Sequence, residues 1–204
     1  MLIGHLNKPN LVTLSGMILA LAAVLLASRG YIAFAMVGLI GAGICDLFDG
    51  FVARASVLSH EEQGFGAELD SLNDVLCFGL LPVLLVDAWL RESLFYPIYA
   101  AYLIAVLFRL AYFNQHGTAL ENGTASYTGL PVTYAALALP LLALPAAWLP
   151  DLKWVLLPLT LLALAGLYVY KTPIPKPAGK AYIAFPALAL IVSLIWLWQP
   201  WGGL

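Results

Sequence analysis

Long apolar stretches separated by short polar segments make up most of this chain. Each stretch is close to the roughly 20 residues that an α-helix needs to cross the hydrocarbon core of a bilayer. Seven stretches are predicted as membrane spans: Leu11–Ser28, Tyr31–Phe51, Leu69–Leu90, Phe95–Phe113, Leu130–Leu149, Leu152–Tyr170 and Tyr182–Trp198. Prolines interrupt the region 140–158, where a kinked helix, a re-entrant pair or an extra short span would give a similar pattern. The pattern predicts an all-α, polytopic transmembrane helical bundle of six to eight spans.

The remaining segments are short and polar. Residues 1–10 mix apolar and polar side chains, which predicts a short interfacial segment before the first span. Polar loops are predicted at 56–66, 115–129 and 171–180. Alternation of the spans places all three on one face, so we expect them to rim a common cavity. Without an internal repeat, the chain is interpreted as a single domain over residues 1–204, with the catalytic motif on the helices of residues 31–90.

Composition supports an integral membrane protein. Hydrophobic residues make up 63% of the chain and charged residues 10%, whereas charged residues are about a quarter of an average soluble domain. The formal net charge is −2 and no basic run is present, which argues against a nucleic-acid partner and favours lipids and small solutes. The two cysteines lack the spacing of a zinc site and are interpreted as small buried hydrophobes.

The distribution of basic residues predicts the orientation. With seven spans, six of the nine lysines and arginines are predicted on the side of the membrane that holds the N-terminus of the chain. These residues are Lys8, Arg54, Arg109, Lys171, Lys176 and Lys180. Lysine and arginine concentrate in cytoplasmic loops. We therefore expect a multi-pass protein of the cytoplasmic membrane, with its N-terminus and its acidic residues on the cytoplasmic side.

Four aspartates stand at the ends of two adjacent apolar stretches. Asp46 and Asp49 are three residues apart and Asp70 and Asp74 are four apart, so each pair shares one face of a helix. Each acid alone could be a helix-end charge that reaches water, but four like charges close together repel one another unless a cation neutralises them. Oxygen ligands without histidine or cysteine suit Mg²⁺ or Mn²⁺ rather than zinc. The spacing predicts a divalent-metal site between two helices.

The neighbours of these acids suggest room for a ligand. Gly50 and Gly66 leave gaps where a ligand or backbone can approach closely, and Ala53 keeps the same helix face narrow. Arg54 is placed to contact a phosphate or a base. Arg109, a second cation near a helix end, is interpreted either as a contact for an acceptor carboxylate or lipid phosphate, or as a structural partner of an aspartate.

These residues carry a resemblance to a known family. The pattern Asp46-x2-Asp49-Gly50-x2-Ala53-Arg54, followed by Gly66-x3-Asp70-x3-Asp74, resembles the signature of the CDP-alcohol phosphotransferases, integral membrane enzymes that make phospholipids. The phosphatidylserine synthase branch is the most similar, through the segments Phe65–Pro82, Arg109–Asn114 and Gly129–Pro131. Pro9-Asn10-x2-Thr13 is similar to the start of the family's first span. The likeness covers about residues 9–135.

The resemblance implies an activity and a set of site residues. It implies transfer of the phosphatidyl group from CDP-diacylglycerol to the hydroxyl of L-serine, with release of CMP, by a homodimeric enzyme that uses two Mg²⁺ or Mn²⁺ ions. Asp46, Asp49 and Asp70 would hold the metal, and Asp74 would complete the site and act as the base. The residues expected to contact the CDP-lipid are Asn10, Thr13, Gly50, Ala53, Arg54 and Gly66. Arg109 and Asn73 are the candidates for contact with the acceptor.

Two alternatives remain open at this stage. The first keeps the donor and changes the acceptor to glycerol phosphate, inositol phosphate or choline, since Asn73 stands where the family commonly has alanine and Tyr112 where an arginine is frequent. The second is a cation transporter or channel. Carriers place their ion sites near the middle of the bilayer, often between related halves. The acids here cluster at one end and no halves match, which disfavours a carrier.

Overall fold

The computed structural model describes residues 4–121, 124–177 and 179–198. Its helices are α1 Lys8–Ser28, α2 Ile32–Ala55, α3 His60–Asp74, α4 Leu81–Leu90, α5 Tyr96–His116, α6 Ala135–Trp148, α7 Lys153–Val169 and α8 Ala181–Trp198. A π-helical turn over Val75–Leu80 joins α3 to α4, so that His60–Leu90 forms one continuous helical segment of 31 residues. The predicted polytopic helical bundle is confirmed.

Six helical segments in the described part of the chain are long and apolar enough to cross a membrane. The stretch predicted as the span Leu130–Leu149 forms a shorter apolar helix, Val132–Trp148. Pro140 and Pro145 lie inside α6 and Pro158 lies inside α7, so the chain stays helical through these prolines. Tight packing of neighbouring helices is one way in which membrane proteins tolerate prolines within helices. The protein is a multi-pass membrane protein.

Two helices begin earlier than their hydropathy indicates. The third apolar span was predicted from Leu69, but α3 begins at His60 and converts most of the predicted loop 56–66 into helix. Ser59 caps it, since its Oγ accepts a hydrogen bond from the Glu62 N–H at 3.3 Å and its own N–H donates to Glu62 Oε2 at 2.9 Å. A hydropathy scan cannot detect this turn because its residues are polar.

The first helix likewise begins at Lys8, within the segment predicted to be interfacial. Asn7 caps this helix, and its Oδ1 accepts a hydrogen bond from the Asn10 N–H at 3.1 Å. Residues 8–10 therefore belong to α1 rather than to a separate segment, and residues 1–3 lie outside the described residues. The His5 ring packs on Phe65 of α3 with 5.7 Å between ring centroids.

A small antiparallel sheet connects two of the predicted polar loops. Its strands are β1 Ala119–Glu121, β2 Thr124–Thr128 and β3 Pro173–Pro175, in the order β1-β2-β3. Tyr127 of β2 pairs with Ile174 of β3. The all-α class predicted from the sequence did not include these strands, which are too short to show the alternating pattern of a strand. The sheet joins the α5–α6 connection to the α7–α8 connection.

Small residues allow the site helices to pack closely. A Cβ atom on Gly38 of α2 would lie 2.8 Å from Cβ of Ala23 on α1, so only glycine fits this crossing.

Behind the site, the buried Tyr102 hydroxyl donates to the Phe78 carbonyl in the π-helical turn at 2.6 Å. This bond satisfies a backbone acceptor in the turn that follows Asp74.

Candidate active site

Three of the four aspartates converge on one point. Asp46 and Asp49 of α2 and Asp70 of α3 each place a carboxylate oxygen within 4.8 Å of the other two. One turn further along α3, the carboxyl group of Asp74 lies near that of Asp46, and the two interact electrostatically. Helical spacing of three and four residues accounts for this arrangement, because it turns each pair toward the facing helix.

The donor set fits a hard divalent cation. Oδ1 of Asp70 and Oδ1 of Asp74 are buried and have no hydrogen-bond partner among the described residues. Buried carboxylates without partners are costly, and several of them together repel one another. Closely spaced oxygen ligands with free lone pairs are the surroundings that Mg²⁺ and Mn²⁺ prefer.

Helix α1 supports the site from one side. The Thr13 hydroxyl donates a hydrogen bond to Oδ2 of Asp49 at 2.6 Å, and both residues are buried. Asn10 donates from Nδ2 to the His5 carbonyl at 2.7 Å. A Cβ atom on Gly66 would lie 3.1 Å from Oδ1 of Asn10, so this glycine permits the close approach of α1 and α3. The hydrogen bond from Thr13 thus orients the Asp49 carboxylate, one of the three that cluster.

A cavity of about 470 Å³ opens beside the carboxylates between α1, α2 and α3. Asp49 and Asp70 form part of its wall. All six residues predicted to contact the CDP-lipid line it: Asn10, Thr13, Gly50, Ala53, Arg54 and Gly66. The early start of α3 adds Glu62 and Gln63 to the same wall.

A second cavity, of about 210 Å³, meets the first at the carboxylates. All four aspartates line it, together with the cations Arg54, Arg109 and Lys176 and the aromatic residues Tyr127, Tyr134 and Tyr182. Residues of the predicted loops 115–129 and 171–180 thus rim this cavity, as expected. Residues of the first predicted loop line the larger cavity instead. The carboxylates stand where the two cavities join.

Arg109 is buried on α5 and holds the turn after β2. Its Nε donates to the Leu130 carbonyl at 2.9 Å and its Nη2 to the Gly129 carbonyl at 3.4 Å, while its guanidinium lies 5.4 Å from the ring centroid of Phe113. Within the described ranges Arg109 forms no ion pair with an aspartate, so the structural pairing considered from the sequence is absent there. Gly129 has φ +81°, and a Cβ atom on it would lie 3.0 Å from the Tyr168 carbonyl oxygen.

Asn73 lies outside both cavities, although the resemblance made it a candidate for the acceptor site. It is buried, and its Oδ1 accepts a hydrogen bond from the Cys77 thiol at 3.4 Å. Asn73 thus contacts the turn that follows α3, and neither cavity includes it among its lining residues.

Several lining residues carry no motif and were missed as site residues. Arg54 donates from Nη2 to the Tyr182 hydroxyl at 2.9 Å, which ties α2 to α8. Lys176 Nζ lies 5.8 Å from the ring centroid of Tyr127. Burial, with a smaller contribution from the Asp46 carboxylate, raises the pKa of the Tyr127 hydroxyl above its ordinary value. The sequence signal for Lys176 was the Pro- and Lys-rich composition of residues 171–180.

The fold and the site together define an integral membrane protein with an acidic cluster at one end of its helices. A family model described as CDP-alcohol phosphatidyltransferase matches residues 6–166. The chain belongs to the CDP-alcohol phosphatidyltransferase family, as the resemblance predicted. The matched range contains all four aspartates and Arg109 but ends before Lys176 and Tyr182.

Individual relatives are similar over a shorter range. An archaetidylserine synthase of Methanothermobacter thermautotrophicus is 32% identical over 119 residues, which are 57% of this chain and 49% of that protein. CDP-diacylglycerol–serine O-phosphatidyltransferases of two Helicobacter pylori strains are each 31% identical over 142 residues, which are 67% of this chain and 56% of those proteins. The aligned region spans about half the length of these relatives.

Proposed function

We propose that this protein transfers the phosphatidyl group of CDP-diacylglycerol to the hydroxyl of L-serine and releases CMP. The observation that carries this proposal is the convergence of Asp46, Asp49 and Asp70 within 4.8 Å at the junction of two cavities. One cavity is available for the donor and one for the acceptor. The names of all three relatives refer to serine, which supports serine as the acceptor.

The larger cavity suits the nucleotide diphosphate of the donor. The six predicted CDP-lipid contacts line it, and Arg54 supplies a positive charge next to the acids. Asp46, Asp49 and Asp70 would hold two Mg²⁺ or Mn²⁺ ions, which would neutralise charge on the diphosphate and on the departing CMP. Thr13 keeps the Asp49 carboxylate in the orientation required for this role.

Asp74 is the proposed base. Asp74 lines the smaller cavity, and its Oδ1 is buried without a hydrogen-bond partner among the described residues. Asp74 accepts the hydroxyl proton as the serine oxygen forms a bond to the phosphorus of the phosphatidyl group. The bond from that phosphorus to the CMP oxygen breaks, and CMP leaves with the electron pair. Arg109 contributes positive charge near the acceptor carboxylate or the lipid phosphate through donors that the two carbonyls do not occupy.

The lining of the smaller cavity bears on the choice of acceptor. Arg54, Arg109 and Lys176 all contribute to it, and such a set of cations favours an anionic acceptor over choline. Glycerol phosphate and inositol phosphate remain the alternatives that an assay must separate from serine.

We further propose that the site faces the cytoplasm, because most basic residues lie on that side, and that the enzyme acts as a homodimer.

A direct assay tests this function. Purified protein in detergent is supplied with CDP-diacylglycerol, Mg²⁺ or Mn²⁺ and radiolabelled L-serine, and both CMP and labelled lipid are measured. We expect equal amounts of the two products, and none after chelation of the metal. Parallel reactions contain glycerol phosphate, inositol phosphate or choline. CMP formation with one of these, but not with serine, would disprove the serine assignment.

A further inference from the structure

The smaller cavity is closed by a segment that the family match does not include. Strand β3 pairs with β2, with Pro175 opposite Ser126, and the Gly129 N–H donates to the Thr172 carbonyl at 2.7 Å. These bonds fix the chain immediately before Lys176. Residue 176 is therefore held over the cavity by strand pairing, although it lies beyond the matched range 6–166.

The three cations of this cavity are engaged to different degrees. Arg109 is 5% exposed and uses two donors to hold the carbonyls of the β2–α6 turn. Arg54 donates to the Tyr182 hydroxyl. Lys176 has neither a hydrogen bond nor an ion pair with any residue in the part of the chain that the structure describes, and its Nζ lies 5.8 Å from the ring centroid of Tyr127. Its ammonium group is thus the cation most available to a ligand.

The charges around the cavity define what Lys176 can bind. The carboxylates come from α2 and α3, whereas Lys176 comes from the α7–α8 connection. An acceptor that offers its hydroxyl to Asp74 must hold its own carboxylate away from four acids of the same sign. Lys176, a half-buried residue on a different wall, provides an oppositely charged partner there, and charge-assisted hydrogen bonds are strong.

We propose that Lys176 binds the carboxylate of the acceptor amino acid and is a specificity-determining residue of the enzyme. This inference rests on the proposed function, in which the acceptor carries a carboxylate. It assigns acceptor recognition in part to the segment after residue 166, which lies outside the matched range.

Steady-state kinetics of Lys176→Met test this role. The variant keeps the length and apolar stem of the side chain and removes its charge. We expect the KM for L-serine to rise about tenfold to hundredfold, the effect of losing one charge-assisted hydrogen bond, while the KM for CDP-diacylglycerol stays within about twofold. L-serinamide has the hydroxyl and amine of serine without the carboxylate. The ratio of kcat/KM for serine to that for serinamide should fall by a similar factor.

Two matched variants and the wild type separate the outcomes. Lys176→Arg should recover part of the affinity for serine, and Lys180→Met, a change at an exposed lysine of the same connection that lines neither cavity, should behave as wild type. An unchanged KM for serine in Lys176→Met would overturn the inference, as would an equal rise in the KM for CDP-diacylglycerol, which indicates contact with the donor phosphate. A wild-type protein that makes no lipid from serine would instead contradict the proposed function itself.

Discussion

The two walls of the smaller cavity are built in different ways. On one wall, Asp46 and Asp49 are one helical turn apart, and so are Asp70 and Asp74, so local periodicity arranges the acids. On the other wall, strand pairing between β2 and β3 brings Tyr127 close to Lys176 across about fifty residues of sequence. In the proposed function, the first wall supplies the groups for the chemistry and the second supplies groups for recognition of the acceptor. We therefore expect changes on the first to stop the reaction with every acceptor and changes on the second to alter affinity.

The largest effect is expected at the clustered carboxylates. Asp49→Asn or Asp70→Asn removes a charged ligand from the group within 4.8 Å, and turnover should fall to the background rate with any acceptor. CMP release measures turnover, and Mn²⁺ binding followed by electron paramagnetic resonance provides a second readout. Glu68→Gln, at an exposed position of the same helix, serves as the control and should retain activity. Full activity in either aspartate variant would contradict the metal assignment.

Asp74→Asn separates chemistry from binding on the same wall. Loss of a general base lowers turnover by about 10²–10⁴-fold, whereas the cavity for the donor keeps its lining. CMP release should therefore fall by this factor while calorimetric titration still detects binding of CDP-diacylglycerol. Loss of donor binding in this variant would show instead that Asp74 acts mainly as a ligand of the metal.

A smaller effect is expected from the residue that orients the carboxylate wall. Thr13→Val has nearly the same shape but removes the hydrogen bond to Oδ2 of Asp49. Loss of such a supporting bond typically weakens metal affinity by about 10- to 100-fold. Titration with Mn²⁺ measures the change, and Thr13→Ser, which keeps a hydroxyl, should stay near the wild-type affinity. Equal affinities in the valine and serine variants would remove Thr13 from the site.

The smallest effect is expected where the second wall touches the first. Tyr182→Phe deletes the hydroxyl that accepts a hydrogen bond from Arg54. This bond is exposed, and exposed polar contacts contribute little free energy. We expect the KM for CDP-diacylglycerol to rise about two- to fivefold, because Arg54 is less firmly held. Tyr170→Phe, an exposed tyrosine before β3, is the matched control. A loss of turnover as large as that of the aspartate variants would mean that the two walls cannot be separated in this way.

Much of the fold was predictable from the apolar pattern, because a bilayer forces long helices of a defined length. The predicted boundaries were wrong where polar residues extend a helix, and the prediction missed the short strands. His60 and Lys8 begin helices that hydropathy placed later, and the three strands had no detectable period. The span predicted over Leu130–Leu149 formed a helix shorter than the others.

The candidate site divides in the same way. The aspartates were named from the sequence because their spacing is local and regular, and the six residues that line the larger cavity were named from the family resemblance. Asn73 belongs to the same segment, but it lines neither cavity and accepts a hydrogen bond from Cys77 instead. Lys176 and Tyr182 had no distinguishing pattern, since their positions depend on bonds to distant residues.

By itself the sequence determined the membrane class, the helical bundle and the four acids on two helices, because hydropathy and helical periodicity act over neighbouring residues. The tertiary structure alone decided which acids share one point, that Arg109 binds backbone carbonyls rather than an aspartate, and that Lys176 reaches the cavity. These outcomes depend on the packing of helices and the pairing of strands far apart in the chain, and no local pattern encodes those distances.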